Sequence, residues 1–180
     1  MISMGTLEKV ILVDNDGNSL GCMEKMEAHQ KGLLHRAFSV FLFDSKGNML
    51  LQKRASGKYH SPGLWTNSCC SHPRPGEKLA DAAKRRLVEE MGIATQIEKA
   101  FHFTYKAQLD QGLTEYEFDH VYVGTYDGII SPNSVEVSDY LYLSIDEIKS
   151  RMTKNVNAFT VWFQIAFPRV AEWYQLNIVN

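Results

Sequence analysis

Residues 76–93, GEKLADAAKRRLVEEMGI, carry the clearest helix signal in the sequence. Apolar residues recur in this stretch at every fourth position, which places them on one helical face. That face consists of Leu79, Ala83, Leu87 and Met91. Gly92 follows where a glycine commonly ends a helix in a left-handed conformation. The pattern therefore predicts a helix that packs on a core and stops at Gly92.

The polar side of this helix carries an ordered set of charges. Arg85 precedes Glu89 by four residues, and Arg86 precedes Glu90 by four, so each pair shares a face. An interpretation as a solvated face crossed by ion pairs fits this pattern. A functional interpretation needs support from other parts of the chain.

The segment that leads into the helix, Trp65–Glu77 (WTNSCCSHPRPGE), suits neither a helix nor a regular strand. It lies in a region, residues 55–76, that is rich in glycine and proline and that we expect to be irregular. Cys70 within it is either a small buried hydrophobic group or a reactive thiol, and free cysteines are mostly the former. A stiff loop with such side chains would suit the presentation of reactive groups to a pocket.

Segments rich in β-forming residues flank the helix on both sides. We expect strands in EKVILVD, in a hairpin of RAFSVFLFD and MLLQKR, and in KAFHFTYKAQL, TEYEFDHVYVGTY and DYLYL. MEKMEAHQKG reads as a helical turn or loop. Another helix opens at a capping box of Ser144 and Glu147, and a last one starts near Phe159, with Pro168 as a kink or break. This mixed order predicts an α/β (α+β) sandwich in a single domain, residues 1–180.

The composition limits the classes of function. The chain has 180 residues, 44% of them hydrophobic, and a formal net charge of -2. Proteins that bind nucleic acid usually carry a basic surplus, so we expect no nucleic-acid partner. Three cysteines, two of them adjacent, make a poor disulfide framework and favour a reducing compartment, the cytoplasm. We find no signal peptide and no apolar run long enough to span a membrane, so no membrane partner is expected.

Histidines and glutamates supply candidate metal ligands. His29, His35 and His72 offer imidazoles, which suit transition metals, and Glu115 and Glu117 offer carboxylates. Period-two alternation places both glutamates on one strand face. The alternative is that the histidines are structural and that the glutamates form the wet face of a half-buried strand. Spacing alone does not bring these five residues together.

Basic residues flank the same segments and form a candidate anion site. They are Lys25, Arg54, Lys58, Arg74, Arg85 and Arg86. Such groups, together with Mg²⁺, would hold a small polyanion such as a diphosphate. The alternative is a scatter of solubilising charges.

The helix and its entry resemble the signature of the Nudix superfamily, a glycine-led loop and helix ending in Arg-Glu-apolar-x-Glu-Glu-x-Gly-apolar. The residues in register are Glu77, Arg85, Leu87, Glu89, Glu90, Gly92 and Ile93. Two positions depart from it: Ser71 stands at the leading glycine, and Arg86 stands where Nudix hydrolases have a metal-binding carboxylate. Because arginine is permanently cationic, Arg86 weakens the expectation of a hydrolase.

The chain as a whole resembles a narrower family, the type I isopentenyl-diphosphate delta-isomerases, which have a Nudix fold. The resemblance rests on EKMEAH with LLHRAFSVFLF, on QKRASGKYHSPGLWTNSCCSHP, on RRLVEEMGI, and on TYKA followed by TEYEF. It runs from EKVILVD to the region of Trp162. It implies a Nudix-type α/β/α sandwich with a mixed β-sheet, and the interconversion of isopentenyl and dimethylallyl diphosphate in isoprenoid biosynthesis by protonation and deprotonation.

The resemblance also assigns roles by position. The implied catalytic residues are Cys70, Glu117 and Tyr105. The implied metal ligands are His29, His35, His72, Glu115 and Glu117, around a divalent ion (Mg²⁺, Mn²⁺ or Zn²⁺). The implied substrate contacts are Lys25, Arg54, Lys58 and Arg86 for the diphosphate and Trp162 for the reacting carbons. Glu90 is the implied ligand of a second Mg²⁺ carried by the diphosphate.

The chemistry of this reaction explains why it uses such residues. A carboxyl group beside a cation is a stronger acid, so Glu117 would serve the metal and the proton transfer together. We expect nearby cations to lower the pKa of Cys70 and favour its thiolate. The π face of Trp162 would stabilise a carbocation without trapping it.

Two other functions stay open at this point. One is a Nudix pyrophosphohydrolase acting on a nucleoside diphosphate derivative, and the other is a non-catalytic module that binds a metal or a diphosphate. For the isomerase, the expected partner is a small isoprenyl diphosphate, and the expected state is a monomer or a weak homodimer.

Overall fold

The structure, a computed structural model, describes residues 8–179 and forms them into one nine-stranded sheet with helices on both faces. The strands are β1 (Lys9–Val13), β2 (Ser19–Glu24), β3 (His35–Phe43), β4 (Met49–Arg54), β5 (Trp65–Thr66), β6 (Cys69–Ser71), β7 (Ile97–Gln108), β8 (Thr114–Thr125) and β9 (Val137–Leu143). The α-helices are α1 (Lys25–Lys31), α2 (Leu79–Met91), α3 (Ile145–Lys154) and α4 (Val161–Tyr174). Short 3-10 turns lie at Asp110–Gly112 and Val156–Ala158, and a π-helical turn lies at Gln175–Val179.

Strand β3 is the centre of the sheet. It pairs in parallel with β8 along its whole length, from His35 opposite Glu117 to Phe43 opposite Thr125. It pairs antiparallel with β1, β4 and β6. Its sequence, HRAFSVFLF, is buried from Ala37 onward, as expected for a strand covered on both faces. The mixed β-sheet is therefore confirmed.

Two hydrophobic clusters cover opposite faces of this sheet. On one face α2 packs Ala82, Ala83, Leu87 and Met91 against side chains such as Val40 of β3. On the other face α3 and α4 pack residues that include Ile148, Phe163 and Val170 against Phe41 and Phe43. The three layers confirm the predicted α/β/α sandwich.

Helix α2 follows its sequence pattern closely. It ends at Gly92, which has φ 67°, and a side chain there would lie 2.5 Å from the carbonyl oxygen of Ser131. Glycine is needed both for the left-handed conformation and for this close approach. The predicted pairs on the polar face also form, because Arg85 contacts Glu89 at 3.2 Å and Arg86 contacts Glu90 at 2.6 Å.

One local prediction was wrong, and one of two predicted alternatives is excluded. Residues 55–76 are not irregular throughout, because β5 and β6 lie within them and Cys69–Ser71 pairs with Phe38, Ser39 and Val40 of β3. The free edge of a central strand provides partners for main-chain groups that would otherwise be buried without hydrogen bonds. Pro168 does not break the last helix, which runs through it to Tyr174. Pro168 lies on the exposed face, where water can satisfy the freed carbonyl.

Two further predictions were confirmed. MEKMEAHQKG contains a helical segment, α1, whose first amides are capped by the Glu24 carboxylate. Ser144 and Glu147 form the capping box at the start of α3. Within residues 8–179, no helix combines the length and the apolar character needed to cross a membrane.

Neighbouring residues of α2 allow a matched test of this packing. Leu87 is fully buried and Val88 is 49% exposed. We expect Leu87→Ala to lower the free energy of unfolding by about 2–5 kcal/mol, since it leaves a cavity, and Val88→Ala by less than about 0.5 kcal/mol. Urea unfolding of the two variants measures this, and equal losses would contradict the assignment of the buried face.

Candidate active site

A cavity of about 230 Å³ is lined by residues of both α2 and α4, and it brings together nearly all of the predicted site residues. Those that line it are Lys25, His29, Arg54, Lys58, Cys70, His72, Arg86, Glu90, Tyr105, Glu115, Glu117 and Trp162. His35 does not line the cavity, but its imidazole lies close to the side chains of His29, His72 and Glu117, which do. Seven elements of the fold contribute, so the site depends on the whole sandwich.

The two adjacent cysteines point to opposite faces of the sheet. Because side chains alternate along β6, Cys69 packs fully buried in the cluster under α2, whereas Cys70 lines the cavity. Cys70 lies opposite Ser39 of β3. The structure therefore brings Cys70, and not Cys69, to the cavity, and its role toward a substrate stays a prediction.

The glutamates of β8 face the cavity and are buried. Glu115 and Glu117 are each 6% exposed, so the alternative that they form the solvent-exposed face of a half-buried strand is wrong. The hydroxyl of Tyr105, on β7, lies 3.0 Å from Glu115 Oε2 and 2.8 Å from Glu117 Oε2. The antiparallel register of β7 and β8, which sets Tyr105 opposite Glu117, creates these contacts.

Four of the five predicted metal ligands form one compact group. A ligand atom from each of His29, His35, His72 and Glu117 lies within 4.8 Å of the others, and all four residues are buried. His29 is in the last turn of α1, and His35 is the first residue of β3. Gly32, with φ 59°, turns the chain sharply enough to bring the two imidazoles together.

The hydrogen bonds of these imidazoles fit a divalent metal. Nδ1 of His29 lies 2.7 Å from the carbonyl of Lys25, and Nδ1 of His35 lies 2.8 Å from that of Leu33. A carbonyl only accepts, so each Nδ1 carries the proton and each Nε2 presents its lone pair to the group. Nε2 of His35 is buried without a hydrogen-bond partner. A bound cation would satisfy this nitrogen.

Electrostatics favour neutral imidazoles around a charged carboxylate. Burial lowers the pKa of His72 to about 4, although its hydrogen bond to Glu117 acts in the opposite direction. Burial raises the pKa of Glu117, but the neighbouring imidazoles of His35 and His72 outweigh it and hold that pKa well below its usual range. Neutral imidazoles and an ionised carboxylate are the forms that bind metals.

Glu115 lies beside the group of four rather than within it. Burial and the nearby Glu117 charge raise its pKa well above the ordinary range. The Tyr105 hydroxyl has one proton, so it cannot donate to two ionised carboxylates. A protonated Glu115 can donate to Tyr105 Oη while Tyr105 donates to Glu117, and this arrangement satisfies all three groups.

The expectation of a thiolate at Cys70 was wrong for this structure. Burial and the carboxylates of Glu90, Glu115 and Glu117 raise the pKa of Cys70, and the opposing charge of Arg54 does not compensate. The sequence shows that cations flank the loop, but it does not show how deeply the Cys70 thiol is buried. Cys70 is therefore a neutral thiol here.

Basic side chains also line the cavity, and the part that they form is called its cationic end; these residues are Lys25, Arg54, Lys58 and Arg86, and carboxylates lie among them. Lys25 contacts Glu8 at 2.9 Å, Lys58 contacts Glu136, and Arg86 contacts Glu90. Arg54 donates instead to the carbonyls of His60 and Ser61, at 3.0 and 3.2 Å. Two other basic residues, Arg74 and Arg85, lie outside this cavity, and Arg85 forms a bidentate pair with Glu77.

Trp162 forms part of the apolar wall. It is 4% exposed, and the Arg54 guanidinium lies 5.2 Å from its ring centre. The ring of His60 meets it edge-on at 5.5 Å. Sequence analysis did not select His60 as a site residue, nor the other unassigned lining residues, which are Glu8, Gln52, Tyr59, Ser71 and Glu136. Several of these residues lie within the motifs on which the family resemblance rests, but their residue types alone do not indicate a function.

Comparisons with known proteins identify the class and then the family. A NUDIX domain model matches residues 33–163. The fold is similar to a crystal structure of a Deinococcus radiodurans protein, with TM-score 0.69, 18% identity, and coverage of 82% of this chain and 90% of that one. The chain is thus a NUDIX-domain protein, built around a buried His/Glu cluster that could hold a metal.

Sequence relatives narrow this class further. An isopentenyl-diphosphate delta-isomerase of Pectobacterium atrosepticum is 52% identical over 94% of each chain. Isopentenyl-diphosphate delta-isomerase 2 of Aromatoleum aromaticum is 47% identical over 94% of this chain and 90% of that one. The chain belongs to the isopentenyl-diphosphate delta-isomerase family.

The imidazole group generates a prediction about metal binding. We expect the metal-free protein to bind one Zn²⁺ or Mn²⁺ ion at this group, and His35→Ala to weaken that affinity by at least about tenfold, as for lost ligands and their partners. His102→Ala is the matched control, since His102 is exposed on β7. Isothermal titration measures both. Unchanged affinity in His35→Ala would show that the ion binds elsewhere.

Proposed function

We propose that this cavity interconverts isopentenyl and dimethylallyl diphosphate by adding a proton to the substrate on one side and removing a proton on the other. The observation that carries the proposal is that Cys70 and Glu117, two buried proton-transfer groups, line a single cavity together with the four basic residues of its cationic end. A five-carbon diphosphate has the matching shape, with a charged head and a short apolar tail.

The cationic end supports the binding of the diphosphate. Lys25, Arg54, Lys58 and Arg86 line it together, and guanidinium and ammonium groups are the usual partners of phosphate oxygens. Holding the head at four points would fix the position of the hydrocarbon tail relative to the acid and the base.

The proton-transfer groups lie on strands that flank β3. Since neighbouring strands are about 4.8 Å apart, the backbones of β6 and β8 are roughly 10 Å apart across the sheet. Along β3 the two residues are also offset, because Cys70 lies opposite Ser39 and Glu117 lies opposite His35. This leaves room for a small hydrocarbon between the Cys70 thiol and the Glu117 carboxylate. Tyr105, which contacts Glu117 at 2.8 Å, is suited to pass a proton to or from that carboxylate.

Trp162 supports the passage through a carbocation. Protonation of an unactivated alkene gives a tertiary cation, which is stabilised by an aromatic face and destroyed by water. Trp162 is almost fully buried beside the cavity, and it presents no oxygen or basic nitrogen that could trap the cation.

A divalent ion bound by His29, His35, His72 and Glu117, with Glu115 close by, would make a protonated carboxyl in this group a stronger acid. The three imidazoles favour Zn²⁺ or Mn²⁺ over Mg²⁺, which prefers oxygen ligands. Glu90, at the cationic end, is the residue suited to a Mg²⁺ carried by the diphosphate. Its contact with Arg86 also argues against a hydrolase site at this helix.

Proton exchange provides the direct test of this function. We expect incubation with isopentenyl diphosphate and Mg²⁺ in D₂O to give dimethylallyl diphosphate that carries deuterium, detected by NMR. Glu117→Gln should abolish the exchange. Release of phosphate would indicate a hydrolase, and binding without deuterium incorporation would indicate a non-catalytic module.

The adjacent cysteines provide a matched pair of variants. Cys70→Ala should lower kcat/KM by at least about 10²-fold, the range of a general acid or base. Cys69→Ala, whose side chain lies in the core under α2, should cost roughly 1 kcal/mol of stability and leave kcat/KM nearly unchanged. Steady-state kinetics and urea unfolding separate the two effects. An equal loss of activity in both variants would refute the assignment of Cys70.

A further inference from the structure

The cationic end of the cavity contains a carboxylate for which the proposed reaction has no use, that of Glu136. Its Oε2 accepts a hydrogen bond from Nζ of Lys58, and its Oε1 lies 3.5 Å from Nη2 of Arg86. Lys58 belongs to residues 55–64, the loop between β4 and β5, whereas Arg86 belongs to α2. One carboxylate therefore links two cations that come from separate parts of the fold.

Backbone hydrogen bonds attach the segment that carries Glu136 to the C-terminal end of α2. The segment that precedes it donates two backbone hydrogen bonds to that helix, from Ser131 to the carbonyl of Met91 and from Asn133 to the carbonyl of Glu90, at 3.1 and 2.9 Å. The close approach of Ser131 to Gly92 adds contact at the same place. Glu136 is thereby held in a fixed position relative to Arg86.

Lys58, in contrast, extends from an irregular loop. The first residue of this loop is hydrogen-bonded to the segment that carries Glu136, because the amide of Ala55 donates to the carbonyl of Glu136 at 2.9 Å. Beyond that point the Lys58 ammonium has a long flexible stem, and among residues 8–179 its ion-pair partner is Glu136. An ammonium has three donors, so this contact leaves two for a phosphate oxygen.

We propose that Glu136 is a positioning residue, which holds Lys58 beside Arg86 in the arrangement that the diphosphate requires. This inference rests on the proposed function, which makes both cations contacts of the substrate. A carboxylate near an anion site has two opposing effects. It repels the anion, but it also removes the entropy cost of fixing a flexible lysine. The second effect is the larger one, because Glu136 itself is already fixed by α2.

The experiment replaces the carboxylate with its neutral analogue, Glu136→Gln. We expect the Kd for inorganic diphosphate with Mg²⁺, measured by isothermal titration, to rise roughly tenfold. We expect the KM for isopentenyl diphosphate to rise by a similar factor and kcat to change less than about threefold. Glu136→Asp keeps the charge but shortens the reach, so it should weaken binding too. Asp139→Asn, an exposed carboxylate on β9, is the control and should change neither constant.

A second variant shows whether Glu136 acts through Lys58. Lys58→Met should weaken diphosphate binding, and adding Glu136→Gln to it should change the Kd by less than about twofold, since the lysine to be positioned is gone. Unchanged or tighter binding in Glu136→Gln alone would overturn the positioning role. Unchanged binding in Lys58→Met would instead overturn the proposed diphosphate contact, so the two failures are distinguishable.

Discussion

The site depends on one buried carboxylate that several groups hold in its charged form. Glu117 is 6% exposed, and such a charge is tolerated only when it is fully paired. One of its oxygens faces His72 at 2.8 Å and His35 at 3.6 Å, and the other accepts from Tyr105 at 2.8 Å. The same carboxylate thus belongs to the metal-binding group on one side and to the proton-transfer group on the other.

Strand register creates this arrangement. The parallel pairing of β3 with β8 sets His35 opposite Glu117, and the antiparallel pairing of β7 with β8 sets Tyr105 opposite the same residue. A slip of one residue in either pairing would turn these side chains to the α2 face. The hydrophobic alternation farther along β8, at Val121 and Val123, opposes such a slip, because both side chains lie in the core under α4.

A polar layer separates the site from that core. Asp119 follows Glu117 on the same face of β8, and Ser39 donates to it at 2.8 Å. Burial, with the Glu117 charge, raises the pKa of Asp119 to about 8, so it is neutral over most of the physiological range. One strand face therefore changes, over a few residues, from a charged site to a neutral polar pair and then to an apolar core.

The sequence was informative where local periodicity determines the structure. The buried face of α2, the shared face of Glu115 and Glu117, and the capping box of α3 all follow from spacing. The short strand β6 was missed because its pairing depends on the free edge of β3, which is not a local property. The pKa of Cys70 was predicted in the wrong direction because cations are visible in the sequence and burial is not. Glu136 was missed because its partner Lys58 lies 78 residues away.

Anomalous diffraction from crystals containing Zn²⁺ would show whether the buried carboxylate and the imidazoles form one metal centre. The account predicts a single strong peak about 2.0–2.2 Å from Nε2 of His29 and His35, from a ring nitrogen of His72 and from a carboxylate oxygen of Glu117. A peak bound only to exposed side chains, with His72 still hydrogen-bonded to Glu117, would contradict it.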